Sequence, residues 1–310
     1  MVALCVPFVV SVMLWSCAPR LARRLPPATA VRLLTAAMVV TAGTTGFVLA
    51  VAGLLVLAQI PLVASVGHWS VRVVAAGGPV PVSAGLVATV VLSGLMVAAI
   101  RRAALSGRDL VAAALACRRL GPSTGGLVII DDDEPDAYAL PGISGRVVVS
   151  TAMLRALPAD ERRVLLAHEA AHLRCRHHLW IQVAELAASA NPLLRPGARA
   201  VRIAAERWAD EVAAGEVGDR LLAARALARA ALARAGGRGT STLMAAALGA
   251  AEGAVADRAR ALLAPAPKAH RALTGAVAML MLGTVVAAVV TSLETEARFE
   301  AAQSAYTQLR

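Results

Sequence analysis

The sequence predicts a mainly α-helical membrane protein: four transmembrane helices plus a cytoplasmic α+β domain with a small β-sheet. Three observations lead there. Of 310 residues, 58% are hydrophobic and 16% charged, against about 45–50% and about 25% in soluble globular chains. Long uncharged runs alternate with short arginine clusters, and the mean hydropathy is +0.67. Acidic residues are absent before Asp109 and concentrate between positions 103 and 271. Intrinsic disorder, a disulfide-rich module and a fibrous repeat are excluded by this composition. Cys5, Cys17, Cys117 and Cys175 are scattered with no CxxC pair, which argues against structural disulfides and cysteine zinc knuckles. The net charge of +11 invites a nucleic-acid reading. Its cations, however, flank apolar runs and are not interleaved with aromatics, so the expected partner is the lipid bilayer and not nucleic acid.

The elements follow in order. The first apolar stretch, Val2 to Cys17, has its positive charge after it, at Arg20, Arg23, Arg24 and Arg32. A secretory signal would carry charge before it, so this reads as an uncleaved span with the N-terminus outside. The second span is Leu34 to Leu57, long enough for the ~20 residues that cross ~30 Å of hydrocarbon. Pro61 to Gly78 reads as an outside loop. The third span, Val82 to Ile100, closes on Arg101 and Arg102. The fourth, 272–293, follows Lys268, His270 and Arg271 and precedes Glu294, Glu296 and Glu300. With the N-terminus outside, all four boundaries satisfy the positive-inside rule. The expected division is a three-helix membrane region at 1–102, a cytoplasmic domain at 103–271, and a fourth span with a short outer tail at 272–310. Both termini would lie outside a cell membrane.

Within 103–271 the sequence suggests a helix from Arg108 to Leu120, ended by Gly121-Pro122. Three short strands follow, at 127–130, 136–140 and 146–150, separated by turn residues as in a small meander. A helix at Thr151–Leu157 precedes a longer one from Asp160 to about Ala188. Asn191-Pro192 and Pro196-Gly197 break the pattern, and another helix runs from about Ala198 to Ala214. The stretch 220–263 is helical, and its Arg225, Arg229, Arg234 and Arg238 read as a solvated or headgroup-facing surface. Pro265 and Pro267 make a stiff link to the last span.

The chemistry lies in His168-Glu169-Ala170-Ala171-His172. Histidines at i and i+4 project from one side of a helix and can share a metal ion, while the intervening Glu can take a proton from activated water without ligating. The neighbours Val164, Leu165, Leu166, Ala167 and Ala170 are apolar, so the helix is buried, and a buried, unpartnered Glu between two histidines would be costly. For a third ligand His178 stands at the metzincin spacing, but position 175 is Cys where that pattern needs Gly, and the helix reads as unbroken. Glu185 would be ~20 Å along that helix. Glu206 is the better candidate: it follows a Pro/Gly break, and Asp210, one turn on, can hold the free N–H of a ligand histidine. Tyr138, His177, His178 and Arg207 remain open as stabilisers of the developing oxyanion.

His168-Glu169-x-x-His172 with Glu206-x-x-x-Asp210 resembles the gluzincin pattern of integral-membrane zinc endopeptidases. The resemblance extends to Asp136-Ala-Tyr-Ala-Leu-Pro-Gly and Arg146-Val-Val-Val-Ser-x-x-Met-Leu, roughly 120–215. Three spans before the zinc domain and one after it are similar to the BlaR/MecR-type antirepressor peptidases; HtpX-type and CAAX-prenyl-protease-type enzymes usually carry spans between the HExxH helix and the Glu ligand. The resemblance implies a gluzincin metallopeptidase domain, zinc held by His168, His172 and Glu206, Glu169 as general base and acid, and Asp210 orienting a ligand histidine. It also implies cleavage of a cytoplasmic protein, a DNA-binding repressor or the chain itself. About seventeen residues follow Leu293, with no SxxK, so β-lactam sensing is not carried over. The competing expectations are HtpX-like quality control of membrane proteins and a non-proteolytic membrane signalling scaffold with a vestigial zinc site.

Overall fold

Apolar length and small side chains decide the membrane half. The computed structural model describes residues 2–76, 80–120, 123, 125–142, 145–237, 242–266 and 268–308. Helices α1 (Val2–Arg24), α2 (Pro27–Leu57), α5 (Val82–Arg119) and α12 (Arg271–Gln308) are each long and apolar enough to cross a bilayer. Pro27 opens α2 at the position where a missing N–H costs nothing. α5 lies close against α2 because Gly85 has no side chain: a Cβ there would stand 2.8 Å from the Ala52 carbonyl oxygen.

Two features differ from the sequence reading. The third span and the helix at 108–120 are one 38-residue helix, about 57 Å long at 1.5 Å per residue, so the 102/103 boundary falls inside α5. No proline separates the two stretches, and the single Gly107 costs only about 1 kcal/mol among good helix formers such as Arg101, Arg102, Ala103, Ala104 and Leu105. The segment expected as an outside loop contains two short helices, α3 (Pro61–Gly67) and α4 (Val71–Ala76). Trp69 ties this segment down. Its Nε1–H donates to the Ala58 carbonyl (2.9 Å), and its ring meets Phe299 of α12 edge-on at 5.1 Å. Gly78, Gly121-Pro122, Arg238 and Pro267 lie outside the described residues.

The other half is α+β. Strands β1 (Leu127–Ile130), β2 (Ala137–Leu140) and β3 (Arg146–Ser150) form a sheet ordered β1-β3-β2. β3 runs parallel to β1 and antiparallel to β2. The expected meander is therefore corrected to a mixed sheet. β3, the most buried strand, takes the centre, and the acidic turn sends β2 to its far side. Ser150 ends β3 and caps α6 (Thr151–Ala156), its Oγ accepting from Met153 N at 3.1 Å.

The long helix expected from Asp160 to Ala188 is two helices, α7 (Ala159–Arg174) and α8 (His177–Ala190). The chain turns at Cys175-Arg176, where Arg176 takes the left-handed conformation (φ 51°) that usually belongs to glycine. A 3-10 turn at Pro192–Leu194 reverses the chain into α9 (Arg195–Val217), which ends at Gly218 with φ 72°. Helices α10 (Arg220–Gly237) and α11 (Thr242–Leu263) complete the domain. One hydrophobic core joins the halves: Leu14, Leu25, Val31, Leu34 and Met38 of α1–α2 pack with Ala184, Ala188, Leu194, Ala198, Val201 and Ala205 of α8–α9.

Candidate metal centre and active site

α7 sets the first two donors. His168 and His172 stand one turn apart, with their Nε2 atoms 3.2 Å from each other. The α8–α9 reversal brings back Glu206, whose Oε2 is 3.7 Å from His168 Nε2 and whose Oε1 is 3.6 Å from His172 Nε2. Tetrahedral zinc with bonds of about 2.0–2.2 Å places adjacent donors about 3.3–3.6 Å apart. Two imidazoles and one carboxylate, with a fourth position left for water or substrate, are also the donor set of catalytic zinc. The residues therefore fit zinc, and among the described residues this is the one cluster of three or more such side chains close enough to hold a metal ion.

Both histidines are oriented from behind. His168 Nδ1 lies 3.0 Å from Asp210 Oδ1, which leaves Nε2 free to face the donor triangle. Asp210 in turn accepts a two-pronged bond from Arg258 of α11, both contacts 2.7 Å. Burial opposes ionisation of Asp210, but the bonds from Arg258 and His168 outweigh it and hold its carboxyl down at about 2. For His168 burial works against protonation, yet the bond and charge of Asp210 raise its pKa. His172 is pushed down by burial to about 4, helped by His168 and Arg258, so its ring is neutral, the form a metal takes. Its Nδ1 lies 3.0 Å from Nδ1 of His177. With His172 Nε2 free to ligate, its Nδ1 carries the proton and donates to His177. His177 is fully buried against Trp208, and its Nε2 has no hydrogen-bond partner among the described residues.

Glu169 is buried on the same cavity, a space of about 380 Å³ bounded by β2, α7, α9, α10 and α11. Burial raises its pKa, partly offset by His168 and Arg234. A raised carboxyl beside the donor triangle is suited to taking and returning a proton near neutral pH. Edge strand β2 contributes Ala137, Tyr138 and Ala139 to the cavity wall, and β3 is occupied on both edges.

The structure brings together His168, Glu169, His172, Glu206 and Asp210. His178 lines the cavity but is not one of the three converging donors, even though the chain does turn before it. Glu185 lies in an ion pair with Arg202 at 2.7 Å. Of the oxyanion candidates, Tyr138 and His178 face the cavity, His177 is enclosed behind His172, and Arg207 points away, donating to the Ala22 carbonyl at 2.8 Å. Two cations were missed. Arg234, read as part of a solvated face, donates to the Ala137 carbonyl (2.5 Å) and to Asp136 Oδ1 (3.2 Å) and lies 3.9 Å from Glu169 Oε1. Arg258 also reaches Glu206 Oε2 at 3.0 Å. Neither carries a local signal, since each meets the site from a helix far along the chain.

Comparison with known proteins found two likenesses. The sequence model of peptidase family M48 matches residues 108–273, more than half of the chain. The plastoglobule-localized metallopeptidase 48, chloroplastic, of Arabidopsis thaliana is 40% identical over 55 residues, which is 17% of this chain and 16% of that protein. The match thus spans about a sixth of that relative's length. No solved structure matches the chain.

Proposed function

The chain belongs to peptidase family M48, a family of metallopeptidases, and from that premise we propose an integral-membrane zinc endopeptidase that cleaves a protein substrate at the cytoplasmic membrane face. The observation that carries the reading is the donor triangle of His168, His172 and Glu206, with sides of 3.2, 3.6 and 3.7 Å. Zinc, when bound there, supplies Lewis-acid polarisation of the scissile carbonyl and lowers the pKa of water. Glu169 takes the proton of the attacking water and returns it to the leaving amine. Asp210 and His177 fix the tautomers of the two histidines. The edge of β2 away from β3 holds the substrate as an added strand at Ala139, the Ala137 carbonyl being taken by Arg234, and Tyr138 and His178 are offered as donors to the developing oxyanion.

Three candidate spans precede Glu206 and one follows it. That layout supports the BlaR/MecR-type reading over the HtpX-like one, with a cytoplasmic repressor or the chain itself as substrate. Zinc ligands, base and orienting carboxylate all present in one cavity support an active enzyme over a scaffold. The arginine clusters at the inner ends of the spans support both termini outside and the catalytic domain inside.

The test is proteolysis by the purified full chain in bilayer vesicles, offered an unfolded protein. Cleavage is expected to stop with a zinc chelator and return on adding zinc. Cleavage that continues unchanged in chelator would overturn the reading.

A further inference from the structure

The turn between α8 and α9 is held at a depth that no cytoplasmic domain should reach. Asn191, 4% exposed, donates through Nδ2 to Ser11 Oγ of α1 (2.8 Å) and to Thr45 Oγ1 of α2 (3.3 Å). Its Oδ1 accepts from Leu193 N at 3.2 Å. Each hydroxyl has spent its own proton on its helix, Ser11 on the Pro7 carbonyl and Thr45 on the Thr41 carbonyl, both at 2.7 Å. Both amide hydrogens, both hydroxyls and the amide oxygen are therefore satisfied inside protein, as a polar group surrounded by hydrocarbon must be.

The depth follows from helix rise. Ser11 is about 14 Å along α1 from Arg20 and about 14 Å from Val2, at 1.5 Å per residue. Thr45 is about 18 Å along α2 from Leu57 and about 20 Å from Arg32 by the same rise. Both hydroxyls thus sit near the middle of spans that must cross ~30 Å. Moving the slab outward to leave Asn191 in water would leave α1 only about ten residues to cross it, half of what a helix needs.

We propose that the α8–α9 hairpin is a re-entrant element whose tip, Pro192–Leu194, lies in the hydrocarbon of the inner leaflet. Its surface has the form this requires. Leu179, Val183, Leu186 and Leu193 are exposed along one stripe of α8 and the tip, at 37–41%. On α9 the exposed cations are Arg195, Arg199 and Arg202. Arg195 follows the tip directly and Arg199 stands about one turn further back, so their long side chains extend back toward the inner phosphates. Arg202 is paired with Glu185. Glu206 lies about 22 Å along α9 from Asn191, which sets the donor triangle just beyond the hydrocarbon, among the headgroups. Two contacts place it level with the inner ends of the spans: Arg207 with the Ala22 carbonyl, and the Arg32 guanidinium 4.9 Å over the Trp208 ring. Peptide bonds close to the membrane surface are then the ones the site reaches; that consequence rests on the peptidase reading, whereas the hairpin's depth does not.

The experiment uses the full chain in phosphatidylcholine/phosphatidylglycerol vesicles, with Cys5, Cys17, Cys117 and Cys175 replaced by Ala. A nitroxide is attached in turn at Leu193→Cys, at Val90→Cys near the middle of the third span, and at Val111→Cys on the part of α5 beyond it. Collision with oxygen and with a water-soluble nickel chelate is read for each. The oxygen-to-nickel ratio at Leu193 is expected to match Val90 and to exceed Val111 several-fold. Leu186→Cys repeats the reading one helix away, guarding against disturbance of the turn. Ratios at both hairpin positions equal to that at Val111 would overturn the proposal, whatever the peptidase activity.

Discussion

The two halves of α9 are built from different chemistry. The face that its first half packs on α1 and α2 is alanine, glycine and valine, with Ala198, Ala200, Val201 and Ala204 almost wholly buried, and one polar tie lies just before the helix at Asn191. Its second half is a charge network: Glu206 faces two histidines, Asp210 is gripped by His168 and Arg258, and Glu211 holds Arg220 by two bonds. The close apolar packing of the first half sets where the site stands against the membrane. The network of the second half sets which proton and which donor atom each side chain offers. Substitutions in one half should therefore leave the property governed by the other unchanged.

The largest effect is expected at Glu169. Glu169→Gln is nearly isosteric, so zinc content and thermal unfolding should match the parent. Cleavage of an unfolded protein should fall about 10²–10⁴-fold. Next is Asp210→Asn, which keeps the shape but removes the charge that His168 and Arg258 share. Zinc affinity, followed by competition with a chelator, should drop roughly 10–100-fold. In the other half, Ala198→Leu forces extra volume between α9 and the spans. A loss of about 1–3 kcal/mol is expected, read by thermal unfolding in detergent, with zinc stoichiometry unaltered. Loss of zinc from folded Ala198→Leu protein, or a stability change in Glu169→Gln, would break the division between the halves.

That division also explains what could be read from the sequence. His168, Glu169 and His172 share one helix, and their spacing alone puts them on one face. Glu206 and Asp210 are again one turn apart, so each pair was legible, and only the reversal that joins the pairs had to be inferred from Asn191-Pro192 and Pro196-Gly197. The spans were legible because apolar length is a one-dimensional property. The turn at Cys175-Arg176 was not, because it uses a left-handed arginine where a sequence reading looks for glycine. That hid the position of His177 behind His172. Arg234 and Arg258 are contacts between distant helices, and in a stretch of repeated Ala, Leu and Arg nothing local distinguishes them from Arg225. The order of the sheet was missed for a related reason: strand periodicity fixes which side chains share a face, while pairing depends on where the acidic turn at 131–135 carries the chain.

The most direct test of the metal centre is zinc stoichiometry in the purified full chain, compared with Glu206→Gln and His178→Ala, by elemental analysis after dialysis against limiting chelator. The account expects about one zinc per chain in the parent and in His178→Ala, and a strong loss in Glu206→Gln. Zinc retained in Glu206→Gln and lost in His178→Ala would contradict it, and would move the third ligand from α9 to α8.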